Sequence, residues 1–107
     1  MILESAVLDV RPDRRAEFLA AFGLARPLIA AQPGFLGLRL LPCLDPGHES
    51  RFLLQVEWRR LEDHTEGFRR SAEYPRWGEL LHPYYDPFPL VEHYGEPVLE
   101  QPAPGLG

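Results

Sequence analysis

No intrachain disulfide can form in this chain, because Cys43 is its one cysteine among 107 residues. A reducing, cytoplasmic setting is the expectation that follows. A nucleophilic thiol needs electropositive surroundings, and the letters around Cys43, LLPCLDP, hold no His or Arg. Lysine is absent, so all 11 basic residues are arginine, and 16 acidic residues outweigh them to give a net charge of -5. Phosphate contacts need clustered Lys and Arg, which argues against nucleic acid as a partner. No apolar run approaches the ~20 residues of a membrane helix. The start, MILESAVLDVRPDRR, places Glu4 inside its apolar run and has no basic leader, so a signal peptide is not expected. Also missing are a Ser-His-Asp order, a phosphate-cradling glycine loop and a dinucleotide fingerprint. The histidines, His48, His64, His82 and His93, show no metal-ligand spacing with one another or with Cys43, so no metal is expected.

What is present suits one domain over residues 1–96, followed by a Pro/Gly-rich arm at 97–107. Residues 2–10, ILESAVLDV, read as a strand. After Pro12 and Asp13, Phe18, Phe22, Ala25 and Ile29 recur at helical spacing with Leu19 alongside. Pro27 should kink or end that helix between Gly23 and Pro27, since it removes a backbone donor. QPGF at 32–35 reads as a turn with Gly34 at positive φ. FLGLRLLPC and RFLLQVEW (51–58) follow as strands. Leu61, His64, Thr65, Phe68 and Ala72 mark a second helix with a poor N-terminal cap. Ser71 is placed to cap a further short helix with Tyr74, Trp77, Leu80 and Leu81, and FPLVEHY (88–94) closes the set as a strand.

The order is β-α-β-β-α-β, an α+β, ferredoxin-like arrangement with an antiparallel sheet and both helices on one face. Phe52, Leu54, Val56 and Trp58 share one side of the third strand, with Leu53 on the other beside Gln55 and Glu57. In the second strand, Leu36, Leu38 and Leu40 oppose Phe35 and Leu41. Two helices cannot cover both sides. Buried apolar surface contributes ~25 cal/mol per Å², so a second copy packed sheet against sheet is the expected cover, in preference to loops and the C-terminal arm.

The stretches LLQVEW, EDHTEGFRRS, EYPRWGELLHP and PLVEHY, with PGF at 33–35, make the chain resemble the antibiotic biosynthesis monooxygenase family of dimeric α+β barrels. The resemblance spans about four-fifths of the sequence. It implies a homodimer of ferredoxin-like subunits, each with a cavity between sheet and helices. Some members oxidise polycyclic phenols to quinones with molecular oxygen and neither metal nor flavin; others degrade haem. Haem-degrading members carry an Asn on the first strand, a Trp on the second helix and a His further on. This chain has no Asn on that strand, Phe68 at the Trp position and Gly78 near the His position, so haem degradation is disfavoured. The expected function is a cofactor-independent monooxygenase on an aromatic, polyketide-like molecule. A non-catalytic binding or interaction module of the same dimeric fold is the alternative.

His64 is the sharpest candidate. It shares a helix face with Phe68, one turn away, and an imidazole with reference pKa ~6.5 can take a phenolic proton near neutrality. A lone helix histidine is more often structural, here bonded to backbone or to Glu57. Tyr74 or His93 would orient the substrate, although His93 also suits an interface. Trp58, Phe68 and Trp77 would cage a flat ring, or simply fill a core. Arg39 would orient an anionic substrate or pair with Glu57. His82 reads as a cation closing a helix end, and His48 as solvated loop.

Overall fold

The computed structural model describes residues 1–105; the last two residues assigned to the arm, 106 and 107, lie outside them. Four strands, β1 (Ile2–Asp9), β2 (Phe35–Pro42), β3 (Arg51–Trp58) and β4 (Val91–Tyr94), form one antiparallel sheet in the order β2-β3-β1-β4. The first crossover, from β1 to β2, is α1 (Arg15–Ala30), preceded by a 3-10 turn at Pro12–Arg14. The second, from β3 to β4, is broken into a π-helical turn (Asp63–Phe68), α2 (Tyr74–Leu81) and a 3-10 turn (His82–Tyr84).

Helix α1 buries Phe18, Ala21, Phe22, Ala25 and Ile29 against the sheet, the stripe expected from spacing. Leu19 falls off that stripe and is exposed. Pro27 does not end the helix, which runs on to Ala30. Ala25 and Ile29, both fully buried, anchor the helix on either side of the proline, and tertiary packing of the apolar face outweighs one lost backbone bond.

Strand β3 presents Phe52, Leu54, Val56 and Trp58 inward, as its alternation requires. Strand β2 departs from expectation. Phe35 pairs with Trp58 and Gly37 with Glu57, so Leu36 is an extra residue in a bulge. The bulge throws Leu36 out and puts Phe35 on the same side as Leu38 and Leu40, opposite to a strict alternation. Phe35 then meets Trp58 edge-on with centroids 5.8 Å apart. Gly34, at φ +83, makes the turn before it. The space a side chain would need there is taken by the Asp63 carboxylate.

Three further boundaries move. The second helix winds with i→i+5 bonds and stops at Phe68; Arg69 N–H donates to the His64 carbonyl. Ser71 does not cap α2, because its hydroxyl turns back to the Phe68 carbonyl at 2.7 Å. Strand β4 begins only at Val91, because residues 88–90 make no ladder with β1. The outer sheet face carries Val7 and Leu41, 47% and 38% exposed, near Leu53, their ladder partner.

Candidate active site

An acid in the middle of an apolar strand starts the site. Glu4 shares the inward side of β1 with Ala6 and Leu8, and is 5% exposed. A carboxyl buried there must be hydrogen-bonded. Trp58 Nε1–H donates to Glu4 Oε1 at 2.9 Å, and His64 Nε2 lies 3.3 Å from the same oxygen. His93, opposite Glu4 in the β1–β4 ladder, brings Nε2 within 2.8 Å of His64 Nδ1. The His64 ring stacks on Trp58, with centroids 5.6 Å apart and planes 22° from parallel.

The chain Glu4–His64–His93 can be polarised in two directions. With Glu4 ionised, His64 Nε2–H donates to the carboxylate and Nδ1 accepts from His93. With a proton on Glu4 Oε1, that oxygen donates to His64 and Nδ1–H donates to His93. Glu4 Oε2 has no hydrogen-bond partner among the described residues, yet no buried side-chain polar atom there is unsatisfied. Glu4 is itself part of a cavity lining.

That cavity is about 340 Å³ and lies between the sheet and the second crossover, within the usual size of small-molecule sites. Phe68, Tyr74, Trp77, Tyr85 and Phe88 give it aromatic walls, and Leu54, Leu90 and Val91 add aliphatic surface. Phe68 stands edge-on to both Tyr74 and Trp77, at 5.2 and 5.3 Å. A larger groove of about 610 Å³ between the two helices holds Arg11, Arg14 and Tyr84. It contains no histidine and no buried acid, so the smaller, aromatic cavity is the candidate site.

Burial sets the charge state. It pushes His64 down to about 3, with the Arg69 cation and His93 acting in the same direction. Burial likewise lowers His82 and His93. Glu4 moves the other way, above the usual carboxylate range, because desolvation outweighs the Trp58 bond and the attraction of Arg69. At neutral pH the imidazoles are uncharged. Arg69 is the fixed cation of the lining.

Of the residues expected from sequence, His64, Tyr74, Phe68 and Trp77 line the cavity. His93 reaches it through His64. His64 pairs with Glu4 and His93, not with Glu57, which sits on the outer sheet face. Trp58 is fully buried behind His64 and holds Glu4, so it is an anchor and not a cavity wall. Arg39 is on the opposite sheet face, donating to Gln55 Oε1 at 2.8 Å, and does not reach the cavity or pair with Glu57. His82 stands at the C-terminal end of α2, as expected, but burial lowers its pKa and disfavours the cation. Its neutral ring lines the cavity, edge-on to Phe88 at 4.9 Å and lying over Gly78. His48 is in an exposed turn, as expected. Glu4, Arg69 and His82 were missed as site residues. The signal for Glu4 was legible, since alternation along ILESAVLDV aligns it with Ala6 and Leu8. Among the described residues, no three His, Cys, Asp or Glu side chains converge on a possible metal position, and no helix is long and apolar enough to cross a membrane.

The family model for antibiotic biosynthesis monooxygenases matches residues 1–80. The chain belongs to that family. Within the family's reach is the uncharacterized protein YczJ of Bacillus subtilis (strain 168), 46% identical over 94 residues that cover 88% of this chain and 97% of YczJ. A solved Bordetella bronchiseptica structure carrying the same family name is 31% identical, covers 91% of this chain and 97% of its own, and superposes with a TM-score of 0.83. SnoaB of Streptomyces nogalater, described as a cofactor-independent oxygenase, shares the fold at TM-score 0.70 and 18% identity, covering 96% of both chains.

Proposed function

We propose that this chain is a cofactor-independent monooxygenase acting on an electron-rich aromatic, polyketide-like molecule of the anthrone or hydroquinone type. The observation that carries the reading is the buried Glu4 carboxyl, backed by His64 and His93, in the lining of an aromatic cavity. The description of SnoaB as a cofactor-independent oxygenase supports it. A carboxyl with a raised pKa is a competent base near neutrality. For an anthrone, the Glu4–His64 pair takes one proton from the methylene carbon. The resulting carbanion gives one electron to oxygen, and superoxide recombines with the carbon radical to form a peroxide. Protonation of the peroxide and loss of water, with the second methylene hydrogen, leaves the quinone. Anthrone plus O₂ thus becomes anthraquinone plus H₂O. Tyr74 orients the substrate, His93 holds the His64 ring in place, and Phe68 and Trp77 confine the radical pair.

A second reading has its own support. Both His64 nitrogens are engaged within the fold, which suits a binding module with no turnover. Oxygen uptake with a panel of anthrones and hydroquinones separates the two. Protein-dependent uptake lost in Glu4→Gln and His64→Ala supports the oxygenase, and no uptake with any of them leaves the binding module.

The working unit in this proposal is a homodimer through the outer sheet faces. Val7, Leu41 and Leu53 form an apolar patch there that neither crossover covers. Sedimentation at micromolar concentration tests it, and a monomer would end it.

A further inference from the structure

Arg69 is the fixed cation on the cavity lining. Among the described residues it has no carboxylate partner. Its neighbour Arg70 reaches Glu66 at 3.2 Å, and Arg11, Arg14, Arg51, Arg60 and Arg76 each have an acid of their own. The backbone explains how Arg69 reaches the cavity. At 3.6 residues per turn, residue 69 would lie about 140° around a helix from residue 64. The i→i+5 bond from Arg69 N–H to the His64 carbonyl widens the turn and carries Arg69 back towards the side of His64. The π turn therefore places a guanidinium beside the cavity that regular winding would have pointed away from it.

The rest of the lining offers that cation nothing to neutralise it fully. Glu4 is the one acid of the lining and attracts Arg69 without an ion-pair contact, and the three nearby imidazoles, lowered by burial, are uncharged at neutral pH. Arg69 itself is exposed, at the cavity's edge and not in its floor. A guanidinium so placed presents a planar fork matched to a carboxylate. The chain as a whole carries -5, so attraction for an anion must be local to this site.

We propose that the cavity selects an aromatic molecule bearing a permanent carboxylate, with the ring among Phe68, Tyr74 and Trp77 and the carboxylate on Arg69. This rests on the reading that the cavity takes an aromatic ligand, and it names the charge of that ligand.

Isothermal titration at pH 7.5 with 2-naphthoate and its uncharged counterpart 2-naphthamide tests the assignment. The wild type and Arg70→Gln should bind the acid at least tenfold tighter than the amide. Arg69→Gln should bring that ratio close to one while keeping the amide affinity, and Arg69→Lys should restore most of the preference. Raising sodium chloride from 50 to 500 mM should shrink the wild-type ratio, as for an exposed charge. Equal binding of acid and amide by the wild type overturns the charge assignment and leaves the aromatic cavity standing. A ratio unchanged in Arg69→Gln overturns it too, and so does loss of amide and acid binding together. Binding of neither ligand to the wild type overturns both this assignment and the aromatic cavity.

Discussion

The two crossovers of the sheet make the same topological connection with different backbones. The first is a single 16-residue helix whose buried side chains are Phe18, Ala21, Phe22, Ala25 and Ile29, all apolar. The second spends its length on a π turn, an eight-residue helix and a 3-10 turn. It contributes His64, Phe68, Arg69, Tyr74, Trp77, His82 and Tyr85 to the cavity. Regular winding repeats one face and so suits a stripe of hydrocarbon. Changing the winding turns successive side chains to new directions, and a cavity with a base, a cation and aromatic walls needs several directions at once. The division of labour is physical: one crossover holds the sheet's inner face shut, and the other leaves a gap and furnishes it.

The largest effects should separate these roles. Phe18→Ala, in the first crossover, removes a fully buried ring that touches Phe22, Phe52, Tyr84 and Tyr85. It should cost about 3–5 kcal/mol in urea unfolding. Phe68→Ala only enlarges an existing cavity on one side, so its cost should be smaller by at least ~1 kcal/mol. Equal costs would mean that the second crossover is core like the first.

Glu4→Gln should do the reverse. The amide keeps an acceptor for Trp58 and His64, so stability should change by no more than about 1 kcal/mol. Turnover of an anthrone should fall about 10²–10⁴-fold, the usual contribution of a positioned base. A variant with full activity would remove Glu4 from the chemistry.

Acid stability sharpens the contrast next. The native pKa of His64 is lowered, from 6.5 to about 3, so between those values the unfolded chain binds the extra proton. Stability therefore rises with pH through that window and is lost as pH falls from 6.5 towards 3, by several kcal/mol at ~1.4 kcal/mol per unit. Glu4 acts oppositely: its native pKa is raised above 4.5, so its contribution declines as pH climbs past that value. Urea midpoints from pH 4 to 8 should show a steep acid limb that His64→Gln flattens. Glu4→Gln should instead leave that limb steeper above pH 4.5. The first crossover has no titratable group among its buried residues, and Phe18→Ala should shift the profile without changing its shape.

How much of this could be read from the letters divides along the same line. The stripe of α1, the four strands and their order follow from periods of 3.6 and 2, and those periods are what a sequence displays. Phe68 and Trp77 came through for the same reason. Arg69 did not, because a 3.6-residue period turns it away from His64 and nothing in EDHTEGFRRS announces i→i+5 winding. Leu36 does not share a side with Leu38 and Leu40, because one bulge takes it out of the alternation and brings Phe35 round to their side. Neither role expected of Arg39, on an anionic substrate or on Glu57, follows from alternation, which does not say which sheet face the helices cover. His82 was read by its place at a helix end, whereas the chain that folds back afterwards brings Phe88 against it and makes it a wall. Glu4 was visible as an acid on an apolar face. Its partners were not, since Trp58, His64 and His93 meet it only across the ladder and the crossover.

The smallest expected effect concerns the outer face. Arg39 donates to Gln55 on the side of the sheet away from the cavity, and both are on the surface of the isolated subunit. Exposed polar pairs of this kind contribute little, ~0–1 kcal/mol. Arg39→Ala should therefore leave naphthoate affinity within twofold of wild type and subunit stability within about 0.5 kcal/mol. In the proposed dimer the same side chain sits near the seam, so its loss should appear instead in the concentration dependence of sedimentation. A change in ligand affinity without a change in association would mean that the outer face communicates with the cavity through β3, whose residues alternate between Gln55 on one side and Leu54 and Val56 on the other. A change in association alone would keep the two faces of the sheet as separate as the two crossovers are.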